Sequence, residues 1–206
     1  MKEPLSTVLN CDNMEYMATC KDKQFDLAIV DPPYGIGAGE GVGCTRGVNI
    51  SKYTKKSWDN EKPDQQYFNG LIRVSKNQMV FGGNYFANML PPSRCWIYWR
   101  KEMGSNYADG ELIYTSFDAN VKEYTKRSES FNRFHPTQKP VQLYKWLLKN
   151  YAKEGDTIFD SHLGSGSSRI ACYDGGFDFI GCELDKDYFD AGCKRFENFK
   201  AQLKLF

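Results

Sequence analysis

Apolar and polar positions along the chain switch repeatedly between two periods, and the switches predict alternating strands and helices. FDLAIV (25–30) is continuously apolar, the pattern of a strand covered on both faces in a parallel sheet. It stops at Asp31-Pro32-Pro33-Tyr34-Gly35, where two prolines cannot continue a hydrogen-bonded ladder. Upstream, Thr7 to Asn10 predicts a short extended run, and Met14 with Met17 gives a weak helical spacing. Pro63 is expected to open a helix with Tyr67, Leu71 and Val74 on one face. MVFGG (79–83), the aromatic RCWIYWRK (94–101) and the less regular ELIYTSF (111–117) read as strands, and 118–134 is polar. Pro140 opens a helix to about Ala152, with Val141, Tyr144, Leu147, Leu148 and Tyr151 as its stripe and Gly155 placed to stop it. TIFD (157–160), a helix through Ile170 and Ala171, the strand FDFIGCEL (177–184) and an amphipathic helix over about 186–203 complete the chain. This alternation predicts a doubly wound α/β sheet. Between 35 and 60 the chain carries six glycines and almost no periodicity, which predicts a long, mobile loop.

Composition bounds the class. At 206 residues, 41% hydrophobic and a mean hydropathy of −0.60, the expectation is one soluble globular domain rather than a fibrous or disordered chain. No apolar run approaches the roughly 18 residues of a membrane span, and the N-terminus lacks a signal-peptide stretch. The seven cysteines form no C-x-x-C pair, which argues against disulfide frameworks and zinc ribbons and for a cytoplasmic location. With 27 basic against 26 acidic residues, no whole-chain field advertises nucleic acid. A mild positive excess gathers at Lys122, Lys126, Arg127, Arg133 and Lys139, which a solvated loop would explain as well.

Two segments carry chemistry. In 157–183 a strand, a glycine-rich turn, a helix and a second strand end on Glu183, 19 residues after Gly164. Open α/β sheets bind nucleotides at such turns, and an acid at that distance suits a ribose diol. Arg169 occupies the third glycine's place of a dinucleotide fingerprint, and no Gly-Lys-Ser/Thr follows the turn. A nucleoside ligand without a polyphosphate therefore fits better, with an ordinary tight βα turn as the alternative. The second segment, Asp31-Pro32-Pro33-Tyr34, should arise by chance about once in a thousand chains of this length at roughly 5% usage per type. A strand end offering a carboxylate, a rigid carbonyl and an aromatic face can grip an exocyclic amine on a planar base. Asp31 and the Pro33 carbonyl would accept the two N–H groups while Tyr34 stacks the ring; a Pro-Pro stop with a capping Asp is the bland alternative.

Asp-Pro-Pro-Tyr early, His135-Pro136-Thr137-Gln138-Lys139-Pro140 late and the glycine turn after it resemble the amino-methylating DNA methyltransferases of the β group. The likeness runs from Asp12 to the last helix, and the blocks SKNQMVFGGNYF (75–86) and DSHLGSGSSRIA (160–171) look like those of small phage- and prophage-borne adenine methylases. The resemblance implies a circularly permuted class I S-adenosylmethionine-dependent methyltransferase: a Rossmann-like, mostly parallel sheet forming a single domain over 1–206, with a small target-recognition insertion at about 102–134. It implies catalytic roles for Asp31, Pro32, Pro33 and Tyr34. For the cofactor, Asp160, Gly164 and Gly166 would shape the methionine pocket, Glu183 hold the ribose and Asp12 reach the adenine ring. Thr137 and Lys139 would lie near the methionine carboxylate, and His162 and Ser165 would join the cofactor wall. The family's turn reads Asp-Pro-Phe-x-Gly-Ser-Gly, whereas Ser161 and His162 stand here.

The implied reaction is methyl transfer from S-adenosylmethionine to adenine N6 of a flipped-out base in double-stranded DNA. Asp before Pro-Pro-Tyr favours adenine; cytosine N4, RNA or a protein amide are alternatives on the same fold, and a cofactor-sensing module or an NAD enzyme are alternatives of other classes. No metal is expected: His135 and His162 are read as structural or pocket-wall residues rather than as ligands with Asp160. Trp96, Tyr98 and Trp99 are expected mainly in the core, and Trp58 is as much a ligand contact as a loop residue. So neutral a chain implies weak, salt-sensitive DNA binding by a monomer, or a homodimer. The 35–60 loop, with Arg46, Lys52, Lys55 and Lys56, is expected to close over the target strand.

Overall fold

The computed structural model describes residues 3–38, 56–102, 108–127 and 134–203. Its elements run β1 (Ser6–Leu9), α1 (Asn13–Thr19), β2 (Phe25–Val30), α2 (Gln65–Val74), β3 (Ser75–Phe81), β4 (Trp96–Arg100), β5 (Gly110–Thr115) and β6 (Lys122–Thr125). Then follow α3 (Val141–Tyr151), β7 (Thr157–Asp160), α4 (Ser167–Gly175), β8 (Asp178–Cys182) and α5 (Lys186–Leu203), with a short 3-10 turn, Gly83–Phe86, after β3. These strands form one sheet in the order β1-β8-β7-β2-β3-β5-β4-β6. Neighbours from β1 through β3 are parallel, as are β4 and β6, while β5 runs against both β3 and β4. The result is the mostly parallel α/β sheet that the alternating periods predict.

Strand β2 lies in the interior of the sheet, so both its faces are covered. Leu27 and Ile29 join Met79, Phe81 and the α3–α4 side chains Leu143, Leu147 and Ala171. Ala28 and Val30 face Met17 of α1 and Phe68 and Leu71 of α2. Asp64 caps α2 by accepting from the Gln66 and Tyr67 amides, so the helix starts just after the proline that announces it. Strand β6 lies inside the polar stretch 118–134, where its solvated residues give no apolar signal. On β4, Trp99 is buried and donates its indole N–H to the Lys126 carbonyl, while Trp96 and Tyr98 are half-buried. Arg169, which breaks the glycine pattern, ties α4 to the sheet edge by donating to the Ser6 side chain and carbonyl, its guanidinium lying over the Phe196 ring of α5. Among the described residues, no helix is long and apolar enough to cross a membrane.

Candidate active site

The carboxyl ends of β8, β7 and β2 lie side by side, and the two sequence segments singled out above meet there. A cavity of about 760 Å³ opens over them, lined among others by Asp31, Pro33, Thr137, Gln138, His162, Ser165 and Glu183. Ligand pockets span roughly 300–1,000 Å³, so the space suits a nucleoside-sized molecule.

At one end, β7 delivers Asp160 into the interior, only 1% exposed. One oxygen accepts from the His162 amide at 3.0 Å and the other from the Ser168 hydroxyl at 2.5 Å. Asp160 thus braces the turn from behind rather than lining the cavity, and burial lifts its pKa to about 7. The turn bends through left-handed Gly164 and Gly166 (φ +50° and +73°), a conformation in which a Cβ is strained. The Gly166 carbonyl receives the Ile170 amide of α4, and the Ser165 hydroxyl lies 3.2 Å from that of Ser167. Glu183 reaches across from the end of β8: one oxygen accepts from the Gly164 amide at 2.7 Å and the other from the Asp185 amide at 2.9 Å. Each oxygen keeps further acceptor capacity. Burial holds the Glu183 carboxyl above its ordinary range.

His162, standing where the resembled family has Phe, contributes a ring to the cavity wall. Its Nε2 lies 3.2 Å from the Asn13 amide nitrogen and its Nδ1 2.9 Å from the Ser161 hydroxyl. An amide nitrogen only donates, so Nε2 accepts and Nδ1 carries the proton. Burial depresses its pKa to about 4, leaving the ring neutral. Asp12 caps α1, one of its oxygens accepting from both the Met14 and Glu15 amides, and the next residue, Asn13, lines the cavity.

At the other end, Asp31 leaves β2 with both oxygens engaged. Oδ1 receives the Tyr34 hydroxyl at 2.7 Å and Oδ2 the Lys139 ammonium at 2.7 Å. Lys139 is 6% exposed, and its ammonium also lies 3.2 Å from Glu111. It is therefore not part of a solvated basic patch: where it lines the cavity, its charge is paired with Asp31 and Glu111. Burial and the neighbouring Glu111 charge push the Asp31 carboxyl up, against the pull of Lys139. Pro32 is buried behind the motif, and Pro33 is on the cavity wall. Tyr34 is not on that wall: its ring stacks on Tyr85 with centroids 4.9 Å apart. It also crosses Gly82 so closely that a Cβ on that residue would fall 2.5 Å from the ring. In this arrangement the Tyr34 hydroxyl meets carboxylates, and the ring's stacking partner is a protein side chain rather than a base.

Asp59, buried in the 35–60 segment, holds the motif's backbone. It accepts from the amides of Tyr34 (2.6 Å), Gly35 (3.1 Å) and Ala38 (2.8 Å). Nothing in its sequence surroundings distinguishes it. Glu111 also escapes a reading of the sequence, although an acid within an apolar strand, paired with Trp99 in the register, is a visible anomaly. Lys56, expected in a DNA clamp, is paired within the protein: its ammonium bonds both Asp185 oxygens at 2.6 Å and Asp187 at 2.8 Å and lies over the Tyr188 ring. Arg46, Lys52 and Lys55, like Arg133, lie outside the described residues. Trp58 does line the cavity, 5.2 Å from the His135 ring. Among the described residues, no group of three or more His, Cys, Asp or Glu side chains could hold a metal.

A family model described as DNA methylase, covering N6 and N4 methyltransferases, matches residues 87–194. The chain is 23% identical to the Type II methyltransferase M2.DpnII of Streptococcus pneumoniae, over 92% of this chain and 89% of the relative. It is 25% identical to the putative methylase YubD of Escherichia coli, over 93% and 90%. Its fold superposes on the PvuII DNA methyltransferase (cytosine-N4-specific) with a TM-score of 0.65 at 13% identity, covering 95% of this chain and 89% of that one. The M1.HpyAVI–SAM complex gives 0.61 at 18% identity, covering 92% and 98%.

Proposed function

The chain belongs to the N6/N4 DNA methylase family, and from that premise we propose that it transfers a methyl group from S-adenosylmethionine to adenine N6 in double-stranded DNA. The observation that carries this reading is one cavity walled by Asp31 and Pro33 at one end and by Ser165 and Glu183 at the other. An amine acceptor and a nucleoside holder thereby face a shared space.

The residues fit the cofactor. Glu183 has acceptor capacity for a ribose diol, and the buried Gln138 amide oxygen has no hydrogen-bond partner within the protein. Asn13 and the neutral ring of His162 supply a flat, polar wall for a purine. When bound, S-adenosylmethionine supplies an electrophilic methyl on a cationic sulfur. Asp31 and the Pro33 carbonyl accept the two N–H groups of the target amine, drawing its lone pair out of conjugation and towards the methyl. Forming the N–C bond would break the methyl's bond to sulfur, the electron pair leaving on a neutral thioether, and the amine would give up one proton. Asp31, held above the ordinary carboxylate range by burial, is placed to receive it. Fixed positioning supplies much of the remaining acceleration. A base inside a duplex cannot reach this cavity and has to be flipped out.

The motif order supports a circularly permuted chain: Asp31 precedes the glycine turn in sequence, while β7 lies beside β2 in the sheet. The duplex is held by a homodimer or by a salt-sensitive monomer, which sedimentation with and without DNA distinguishes. Asp31→Ala tests the central role. Transfer of labelled methyl to DNA should vanish while S-adenosylmethionine affinity stays within a few-fold. Near-normal turnover would remove Asp31 from the chemistry, and N4-methylcytosine as the product would reassign the base.

A further inference from the structure

The catalytic carboxylate does not stand alone. Glu111, on β5 and with its side chain only 9% exposed, brings a second carboxylate to the same hydroxyl and the same ammonium. Its Oε1 lies 2.6 Å from the Tyr34 hydroxyl and 3.2 Å from Lys139 Nζ, and its Oε2 accepts from Lys101 Nζ at 2.8 Å. The Tyr34 hydroxyl has one proton and two carboxylate neighbours, so it can serve only one of them at a time. Lys139 is likewise divided between Asp31 and Glu111. With Lys101 included, two negative and two positive charges close a neutral, largely buried set beside the cavity, Lys101 being the most exposed of the four. Burying four charges is costly, and replacing such clusters by apolar side chains is often neutral or stabilising. Stability therefore gives no reason for Glu111 to be there.

We propose that Glu111 is a positioning residue for methyl transfer: by drawing Lys139 and the Tyr34 hydroxyl partly towards itself, it leaves Asp31 free to accept the target amine. Without it, Lys139 pairs with Asp31 alone, and the most basic face of that carboxylate is covered by a cation. The proposal rests on the methyl-transfer reading for its consequence, but the electrostatic coupling stands on geometry. Three further titratable groups face the cluster from the elements packed against it. They are Asp160 at the end of β7, Tyr144 on α3 and Tyr67 on α2, each of whose protonated forms the Asp31 charge favours.

The test is Glu111→Gln, measured by kcat against pH, by S-adenosylmethionine titration, and by a carbon-13 NMR titration of the Asp31 carboxyl. Removing one negative charge and tightening Lys139 on Asp31 both favour the Asp31 carboxylate. The Asp31 titration and the acid limb of kcat should therefore move to lower pH, with plateau kcat down at least tenfold and cofactor affinity within twofold. Glu111→Asp should recover part of the loss. A merely structural role would lower activity without moving either titration. If Glu111→Gln does not fold, Lys101→Met/Glu111→Gln removes one charge of each sign and should show the same shift. An unchanged Asp31 titration, or kcat within twofold of the parent at every pH, overturns the proposal. A parent that binds S-adenosylmethionine but methylates no DNA overturns the methyl-transfer reading instead, and the NMR titration then decides the coupling by itself.

Discussion

The two ends of the cavity are built on opposite principles. The glycine-turn end is held by backbone amides and neutral hydrogen bonds: Glu183 on the Gly164 and Asp185 amides, Asp160 on the His162 amide and the Ser168 hydroxyl. Its parts come from one continuous stretch, 157–185. The Asp31 end is a knot of charges gathered from four distant places in the chain, with Asp31, Glu111 and Lys139 around one hydroxyl and Asp59 clamping the turn beneath. A site assembled from short-range hydrogen bonds keeps a fixed shape for its ligand. One assembled from shared charges is set to respond when a substrate amine arrives and a proton leaves.

Asp59→Ala should break that contrast most severely. It leaves the amides of Tyr34, Gly35 and Ala38 without their buried acceptor. Hydrogen bonds to charged groups contribute about 1.5–3 kcal/mol each, so a loss of about 3 kcal/mol or more is expected in denaturant unfolding. Turnover should fall at least about 100-fold through misplacement of Asp31. Asp59→Asn, which keeps one acceptor oxygen, should recover part of both.

Glu183→Ala probes the other end. Calorimetric titration should show S-adenosylmethionine affinity weakened by about 1.5–3 kcal/mol, the contribution of a charged hydrogen-bonding partner. Saturating cofactor should then restore turnover, which it should not do for the Asp59 variant.

Asp160 separates the two ends by pH. Its folded-state pKa of about 7 lies above the unfolded value, so the folded protein binds the extra proton. The contribution of Asp160 is present below the unfolded pKa and is lost as pH rises through about 7. His162, depressed to about 4, acts in the opposite sense, adding stability as pH rises from about 4 to its unfolded value. The difference between parent and Asp160→Asn in urea unfolding isolates the first effect. Up to about 4 kcal/mol of pH-dependent stability between about pH 4 and 7 should disappear in the variant, at about 1.4 kcal/mol for each pH unit between the folded and unfolded pKa. The smallest effect is expected for Lys56→Ala. Losing its pairing with Asp185 and Asp187 should weaken cofactor binding by about 1 kcal/mol or less, with DNA affinity and its salt slope unchanged.

The same contrast explains what could be read from the chain. Strands β2 and β7, the final helix and the turn with Glu183 are legible because each is local: an apolar run, a stripe, or a motif with fixed spacing. The Asp31 motif is legible for the same reason. Its partners are not, because Asp59 and Glu111 reach it through tertiary contacts that leave no trace in their own neighbourhoods beyond one acid in an apolar strand. The sequence points Lys139 to the cofactor although an ion pair holds it at Asp31, and Lys56 to DNA although two aspartates hold it at the cavity rim. A lysine's long stem lets its charge settle wherever a buried carboxylate needs it.

The most direct measurement is nucleoside mass spectrometry of DNA from cells expressing the parent or the Asp31→Ala chain in a background lacking other DNA methylation. N6-methyladenine in the parent's DNA, at a fixed sequence context, and none above background with Asp31→Ala is the expected result. No methylated base in the parent's DNA, or equal methylation by both chains, would contradict the assignment of Asp31 as the acceptor for the target amine.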